Sequence, residues 1–136
     1  MPHSSSNVWT HLVFWTAGHE RAITGQLIPV IHAVLDELSL KFTPHQVYHS
    51  ILPDHIHLLT KVPSNISVDQ LTFQVQQNIG KRLRELDLGD FLTWDPDYHV
   101  HSVSINRLSA EKSLIDRQEF KHKEISLVDE LKFLGL

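Results

Sequence analysis

Two histidines placed two residues apart, His55 and His57, are the side chains whose type and spacing best suit chemistry. In a β-strand, residues i and i+2 point to the same face, so the two imidazoles would project together while Ile56 and Leu58 point the other way. Two neighbouring imidazoles can bind one divalent metal ion. The same spacing is also common in ordinary strands, so the pair alone leaves a metal site and a structural role both open.

A turn and two strands must position this pair. The dipeptide Pro53-Asp54 directly precedes it and is typical of a turn, because proline fixes φ and aspartate tolerates tight turns. We predict a strand over residues 42–52 before the turn and another over residues 55–62 after it. The two histidines would then lie at the start of the second strand of a hairpin.

The other predicted elements place this hairpin inside a larger sheet. Aromatic and β-branched residues predict two further strands, over residues 8–15 and 98–105, the second after a loop at 91–96. Apolar residues at helical spacing predict a helix over residues 27–40 and another that begins after Ser67, whose Ser-x-x-Gln sequence is a capping box. Ser109 is predicted to cap a third helix that runs to about residue 120, and a short terminal helix would begin near residue 126.

This order of elements, β-α-β-β-α-β followed by helices, predicts an α+β fold of the ferredoxin-like, split βαβ type. Two helices would cover one face of a four-stranded antiparallel sheet. The other face would carry His55 and His57 and receive the third helix. Nothing divides the 136 residues, so we predict one domain over residues 1–136.

Composition narrows the function classes. With 41% hydrophobic and 21% charged residues the chain is typical of a globular protein, and the absence of cysteine excludes disulfides, zinc–thiolate sites and thiol nucleophiles. The first six residues do not resemble a signal peptide, and no apolar stretch is long enough to span a membrane. The expected compartment is therefore the bacterial cytosol, with no membrane partner.

The net charge of −4 weighs against strong nonspecific DNA binding but not against a local DNA site. The polar face of the second helix carries three basic residues, Lys81, Arg82 and Arg84. Such a face is ordinarily solvated. It is also suited to contact a DNA backbone, since lysine and arginine are common phosphate partners, and we keep these three as predicted DNA-binding residues.

The sequence Pro53-Asp54-His55-Ile56-His57-Leu58-Leu59 resembles the central motif of the single-tyrosine HUH transposases of the smallest bacterial insertion sequences and their REP-associated relatives. The resemblance extends over nearly the whole chain, from about Asn7 to the C-terminus. It implies a homodimer that cleaves and rejoins single-stranded or stem-loop DNA in DNA transposition. It also implies that His55, His57 and Gln118, the last from the third helix, hold a Mg²⁺ or Mn²⁺ ion.

One position departs from the motif of that family. The resemblance places a nucleophilic tyrosine four residues before the glutamine, where this chain has Leu114, and the two tyrosines of the chain, Tyr48 and Tyr98, fall on predicted strands. Three hypotheses stay open. The chain is a DNA strand-transfer enzyme of this type, a non-catalytic DNA-binding descendant that keeps the fold and metal site, or a metal-binding domain without a nucleic-acid partner.

Three further histidines need an interpretation. We predict that His11 is a hydrogen-bonded core residue or a wall of the site rather than a metal ligand. His99 and His101 repeat the His-x-His spacing without the preceding turn. A separate ligand pair is possible there, but we favour the alternative in which His101 lines the same cleft as the motif histidines.

Overall fold

Four antiparallel strands and three helices make up the fold, which a computed structural model describes for residues 9–42, 47–62, 66–88 and 92–117. The elements in chain order are β1 (Trp9–Thr16), α1 (Ile28–Phe42), β2 (Val47–Ile51), β3 (His55–Lys61), α2 (Val68–Glu85), β4 (Trp94–Val103) and α3 (Leu108–Asp116). Short 3-10 turns, Ala17–His19 and Ile105–Arg107, follow β1 and precede α3. This order confirms the predicted α+β fold.

The sheet has the strand order β2-β3-β1-β4, with every neighbouring pair antiparallel. All eight residues of β1 are buried, as expected for a central strand that is covered on both faces. In the register, Val13 lies opposite His57 of β3 and opposite His99 of β4, and His11 lies opposite His101. The histidines that could bind a metal ion therefore lie on three adjacent strands, β3, β1 and β4.

One face of the sheet is covered by α1 and α2, and the main core lies between them. Leu12 and Phe14 of β1 and Ile56 and Leu58 of β3 pack there against the helices, which contribute Ile31, Val34, Leu35, Leu71, Val75 and Ile79. A fully buried aliphatic side chain of this kind stabilises the fold by about 1.5–3 kcal/mol.

The predicted capping box fixes the start of α2. The Ser67 hydroxyl accepts a hydrogen bond from the Gln70 backbone N–H at 3.1 Å, and the Gln70 side chain accepts one from the Ser67 N–H at 2.8 Å. Two N–H groups that a helix start leaves without intrahelical partners are satisfied in this way.

The opposite face of the sheet receives α3, as predicted. Ile115 is the buried residue of this helix, and it packs in a second apolar cluster with Trp9, Leu59 and Val103. Tyr48 and Leu108 lie at the edge of that cluster. His55 and His57 alternate with Ile56 and Leu58, so they belong to the α3 face.

The predicted starts of β4, β2 and α3 differ from the structure. β4 begins at Trp94 rather than Tyr98 and includes Pro96, which an edge strand tolerates because no neighbour needs its missing N–H. β2 begins at Val47 rather than at residue 42, because α1 extends to that position. The prediction that Ser109 caps α3 was wrong. The helix begins at Leu108 with Arg107 as N-cap, because the 3-10 turn directly before it already has a helical backbone.

Two expectations lie outside the described residues, namely the extension of the third helix past Arg117 and the short terminal helix. Within the described ranges, none of the helices combines the length and apolar character that crossing a bilayer requires.

Candidate functional site

Five histidines lie side by side on the α3 face, across three adjacent strands. We call this set the histidine row; in spatial order it consists of His55, His57, His11, His101 and His99. Neighbouring ring centroids are 5.0 Å apart between His55 and His57, 5.1 Å between His57 and His11, 5.0 Å between His11 and His101, and 5.2 Å between His101 and His99. The first three side chains are 0% exposed.

A chain of hydrogen bonds runs from α3 to His57. The Nδ1 atom of His11 lies 2.7 Å from the Glu111 carboxylate, and its Nε2 atom lies 2.8 Å from Nδ1 of His57. Burial lowers the pKa of His11, and this outweighs the opposing effect of Glu111, so the imidazole is neutral. A neutral ring that donates from Nδ1 to the carboxylate must accept at Nε2, and His57 therefore donates from Nδ1.

His55 is oriented by a direct hydrogen bond to a carboxylate, without an intervening histidine. Its Nδ1 atom lies 2.7 Å from the carboxylate of Asp54, the turn residue directly before it. The turn is held by backbone bonds, from Thr16 N–H to the Asp54 carbonyl and from Ile23 N–H to the Pro53 carbonyl, each 2.9 Å long. Both motif histidines thus commit Nδ1 to a hydrogen bond, so Nε2 is the ring nitrogen through which each would bind a metal ion.

Glu111 also anchors the other end of the row. Its carboxylate lies 3.5 Å from Nε2 of His101, whose Nδ1 is 2.9 Å from Nε2 of His99. Donor atoms of His11, His101 and Glu111 all lie within 4.8 Å of one another, which could also suit a metal ion. The 2.7 Å contact between His11 and Glu111 is a hydrogen-bond distance, however, so we interpret this trio as a network that positions His57.

The structure brings together part of the predicted site. His55 and His57 share one face, and His101 lies in the same cluster, as favoured over a separate pair. Gln118 is outside the described residues, so its convergence on the motif histidines stays a prediction. Glu111 was missed, because only the docking of α3 brings this ordinary helix residue to a histidine 100 positions earlier in the chain.

The family is identified by comparison of the whole sequence. The sequence profile of the family described as "Transposase IS200 like" matches residues 4–118. The chain belongs to this family. No curated protein sequence matches the chain.

Two solved structures share the fold of this IS200-like chain. One is a "putative transposase" from Deinococcus radiodurans R1, with a TM-score of 0.62 at 15% identity over 87% of this chain and 96% of that one. The other is a REP-associated tyrosine transposase bound to a REP hairpin, with a TM-score of 0.57 at 14% identity over 92% of this chain and 76% of that one.

Neither tyrosine of the IS200-like chain lies on α3, which carries Leu114 where the family resemblance places the nucleophile. Tyr98 is on the opposite face of the sheet and donates a hydrogen bond to Asp69, which raises the pKa of the phenol to about 12. Tyr48 is on the histidine face, but its ring stacks against Trp9 with centroids 6.5 Å apart, and the Lys112 ammonium lies 4.7 Å above it.

The three basic residues of α2 lie on the other side of the sheet from the histidine row. Lys81 and Arg84 are exposed, as predicted for an open polar face. Arg82 is half-buried, and its guanidinium donates to the Glu37 carboxylate at 2.6 Å, so this charge is already paired within the protein. DNA contact by the three residues stays a prediction.

Proposed function

We propose that this IS200-like protein binds single-stranded, hairpin-forming DNA at a divalent metal site, for DNA cleavage and strand transfer in transposition. His55 and His57 would supply two imidazole ligands, and Gln118 the third. The observation that carries the proposal is the placement of the two motif histidines on one face of β3, with ring centroids 5.0 Å apart and each Nδ1 within hydrogen-bond distance of a neighbouring side chain. The hairpin bound by a REP-associated relative supports the same class of DNA partner.

The donor set fits a small divalent ion. Two neutral imidazoles and an amide oxygen suit Mn²⁺ somewhat better than Mg²⁺, which prefers oxygen ligands. When bound, the ion would act as a Lewis acid on the scissile phosphate. The chain itself orients the ligands: Asp54 holds His55, and Glu111 acts on His57 through His11. The contact of Asp54 with His55 is a direct carboxylate–histidine contact, which raises the basicity of the ligating nitrogen, whereas His57 contacts the imidazole of His11.

Position 114 favours a second candidate function. In cleavage of the tyrosine type, a tyrosine oxygen forms a bond to phosphorus while the bond to the 3′ oxygen breaks, and that oxygen takes a proton. The hydrocarbon side chain of Leu114 cannot carry out this attack. A non-catalytic descendant that retains the metal site and hairpin binding is therefore the alternative that this residue supports.

The homodimer implied by the family resemblance is also part of the proposal. Among the described residues, α3 packs on the sheet of its own chain through Ile115, and Glu111 contacts its own His11. A dimer is thus not needed to build the hydrogen-bonded network. Sedimentation equilibrium of the full chain measures whether one forms.

An adduct assay on stem-loop DNA separates the candidates. The DNA carries its label at the 3′ end, because the covalent link would be to the 5′ phosphate of the downstream fragment. Label retained on denatured protein in the presence of Mn²⁺ supports the strand-transfer enzyme. Metal-dependent hairpin binding without an adduct supports the non-catalytic descendant. If neither hairpin nor unstructured DNA binds, the protein is a metal-binding domain without this partner, and the proposal fails.

A further inference from the structure

A second group of potential metal ligands lies far from the histidine row, on the other face of the sheet. It consists of His32 and Asp36 of α1 and His49 of β2, and we call it the α1–β2 triad. His49 is opposite Leu58, which packs in the core beneath α1 and α2. His32 and Asp36 are four residues apart and therefore share one face of the helix. The triad thus connects the first half of α1 to an edge strand.

The three side chains already converge. Nδ1 of His32 lies 2.5 Å from Nε2 of His49, and Nε2 of His32 lies 3.4 Å from the Asp36 carboxylate. One donor atom from each residue lies within 4.8 Å of the other two. This is the separation expected of groups that can surround a single ion.

The imidazole contact must open slightly to admit that ion. In a tetrahedral site with metal–nitrogen bonds of about 2.0–2.1 Å, two ligand nitrogens are about 3.3 Å apart, so the 2.5 Å contact would widen by about 0.8 Å. The His32 and Asp36 side chains are 58% and 61% exposed and can rotate at the surface. His49 is half-buried on a strand and supplies a fixed point.

The electrostatic environment favours the ligating form of the imidazole. Burial lowers the pKa of His49, and the neighbouring His32 lowers it further, while Asp36 acts in the opposite direction. The neutral imidazole is the form that binds metal ions. Asp36 adds a negative charge to the group.

We propose that the α1–β2 triad is a second metal site, selective for Zn²⁺ or a similar transition-metal ion. Two imidazoles and one carboxylate, with water in a fourth position, are a common zinc ligand set, whereas Mg²⁺ and Ca²⁺ prefer oxygen ligands alone. A bound ion would fasten α1 to the edge strand β2. The site uses no residue of the histidine row, so it does not rest on the proposed function.

The test follows the imidazole nitrogens of the intact ¹⁵N-labelled chain while zinc chloride is added. Long-range ¹H–¹⁵N spectra distinguish individual histidines, so zinc at the histidine row cannot be mistaken for zinc at the triad. We expect one ring nitrogen of His32 and one of His49 to shift together and to saturate at one equivalent. Unchanged His32 and His49 signals up to millimolar zinc would overturn the proposal.

Variants of exposed residues complete the test without threatening the fold. We expect Asp36→Asn and His32→Ala each to lower the zinc affinity, measured from the shift of the His49 ring nitrogen, by at least about tenfold. Glu37→Gln is the matched control, because it removes a neighbouring exposed carboxylate that pairs with Arg82 instead. Equal affinity of Asp36→Asn and Glu37→Gln would show that the carboxylate is not a ligand and would refute the three-ligand site.

Discussion

The histidine row and the α1–β2 triad use the same side chain in opposite ways. In the row, the imidazoles of His55, His57 and His11 are 0% exposed, and hydrogen bonds to Asp54 and Glu111 and between His11 and His57 orient their rings. In the triad, His32 is 58% exposed and touches His49 directly. The row is preorganised before any ligand arrives, whereas the triad must rearrange. Burial, rather than residue type, decides whether a histidine group is rigid or adaptable.

Burial also affects the charge of histidines in the row. Burial lowers the pKa of His11 and of His99, which favours the neutral form of these two imidazoles. Neutral His11 and His99 would not attract a DNA backbone by charge, so a bound metal ion or nearby lysines and arginines would have to supply that attraction.

The largest expected effect concerns the row as a cleavage site. Leu114 lies one turn after Glu111, whose carboxylate reaches the row, so a tyrosine at this position would be directed toward the same face. We expect Leu114→Tyr to form a covalent adduct with 3′-labelled stem-loop DNA in Mn²⁺, and the native chain to form none. Leu114→Phe is the control without a hydroxyl. An adduct formed by the native chain and retained in Tyr48→Phe and Tyr98→Phe would contradict the prediction.

A stability measurement tests the rigidity of the row against the adaptability of the triad. Replacing His11 with Ala opens a cavity and removes the buried partner of both Glu111 and His57. We expect a loss of about 2–4 kcal/mol in the free energy of unfolding in urea. For the exposed His32→Ala we expect a change within about 0.5 kcal/mol in metal-free buffer. Similar losses in the two variants would remove the distinction between the groups.

Metal affinity gives a sharper measure of how the row is positioned. Glu111→Gln keeps the shape of the side chain but loses the charge that orients His11 and, through it, His57. We expect Mn²⁺ affinity, measured by calorimetry, to fall about 10- to 100-fold. Asp116→Asn, at an exposed position of the same helix, should leave it unchanged. Unaltered affinity in Glu111→Gln would mean that the hydrogen-bond chain has no influence on the ligands.

The smallest expected effect concerns the basic residues of α2, which lie on the same side of the sheet as the α1–β2 triad. If Lys81 and Arg84 contact DNA phosphates, their joint replacement by Ala lowers the slope of log affinity against log salt by about one unit for each lost contact. Arg82→Ala should change the slope little, because this guanidinium pairs with Glu37. An equal slope for the native protein and the double variant would mean that Lys81 and Arg84 do not contact DNA phosphates.

The sequence predicted the features that depend on local pattern. Alternation along β3 was enough to place His55 and His57 on one face, and the Ser67–Gln70 capping box was enough to locate the start of α2. Pro96 was misjudged because its tolerance depends on lying in an edge strand, which is a property of the assembled sheet.

Local sequence pattern could not predict contacts between elements that are far apart in the chain. Glu111 meets His11 only after α3 docks, and His32 meets His49 only after α1 covers the sheet edge. Neither pair has a spacing that marks it in the sequence. The nucleophile position was identified through family resemblance alone, since a single leucine in a helix carries no signal of its own.

If the motif histidines bind the proposed ion, docking of α3 and metal binding are thermodynamically linked. Among its described residues this helix buries one side chain, Ile115, and its Glu111 contacts His11, which in turn contacts His57. A helix with so small a buried anchor is expected to detach at modest free-energy cost. Whatever holds the helix down would therefore tighten metal binding, and by reciprocity a bound ion would hold the helix down. The measured affinity for the proposed ion would then depend on the fraction of molecules in which the helix is docked.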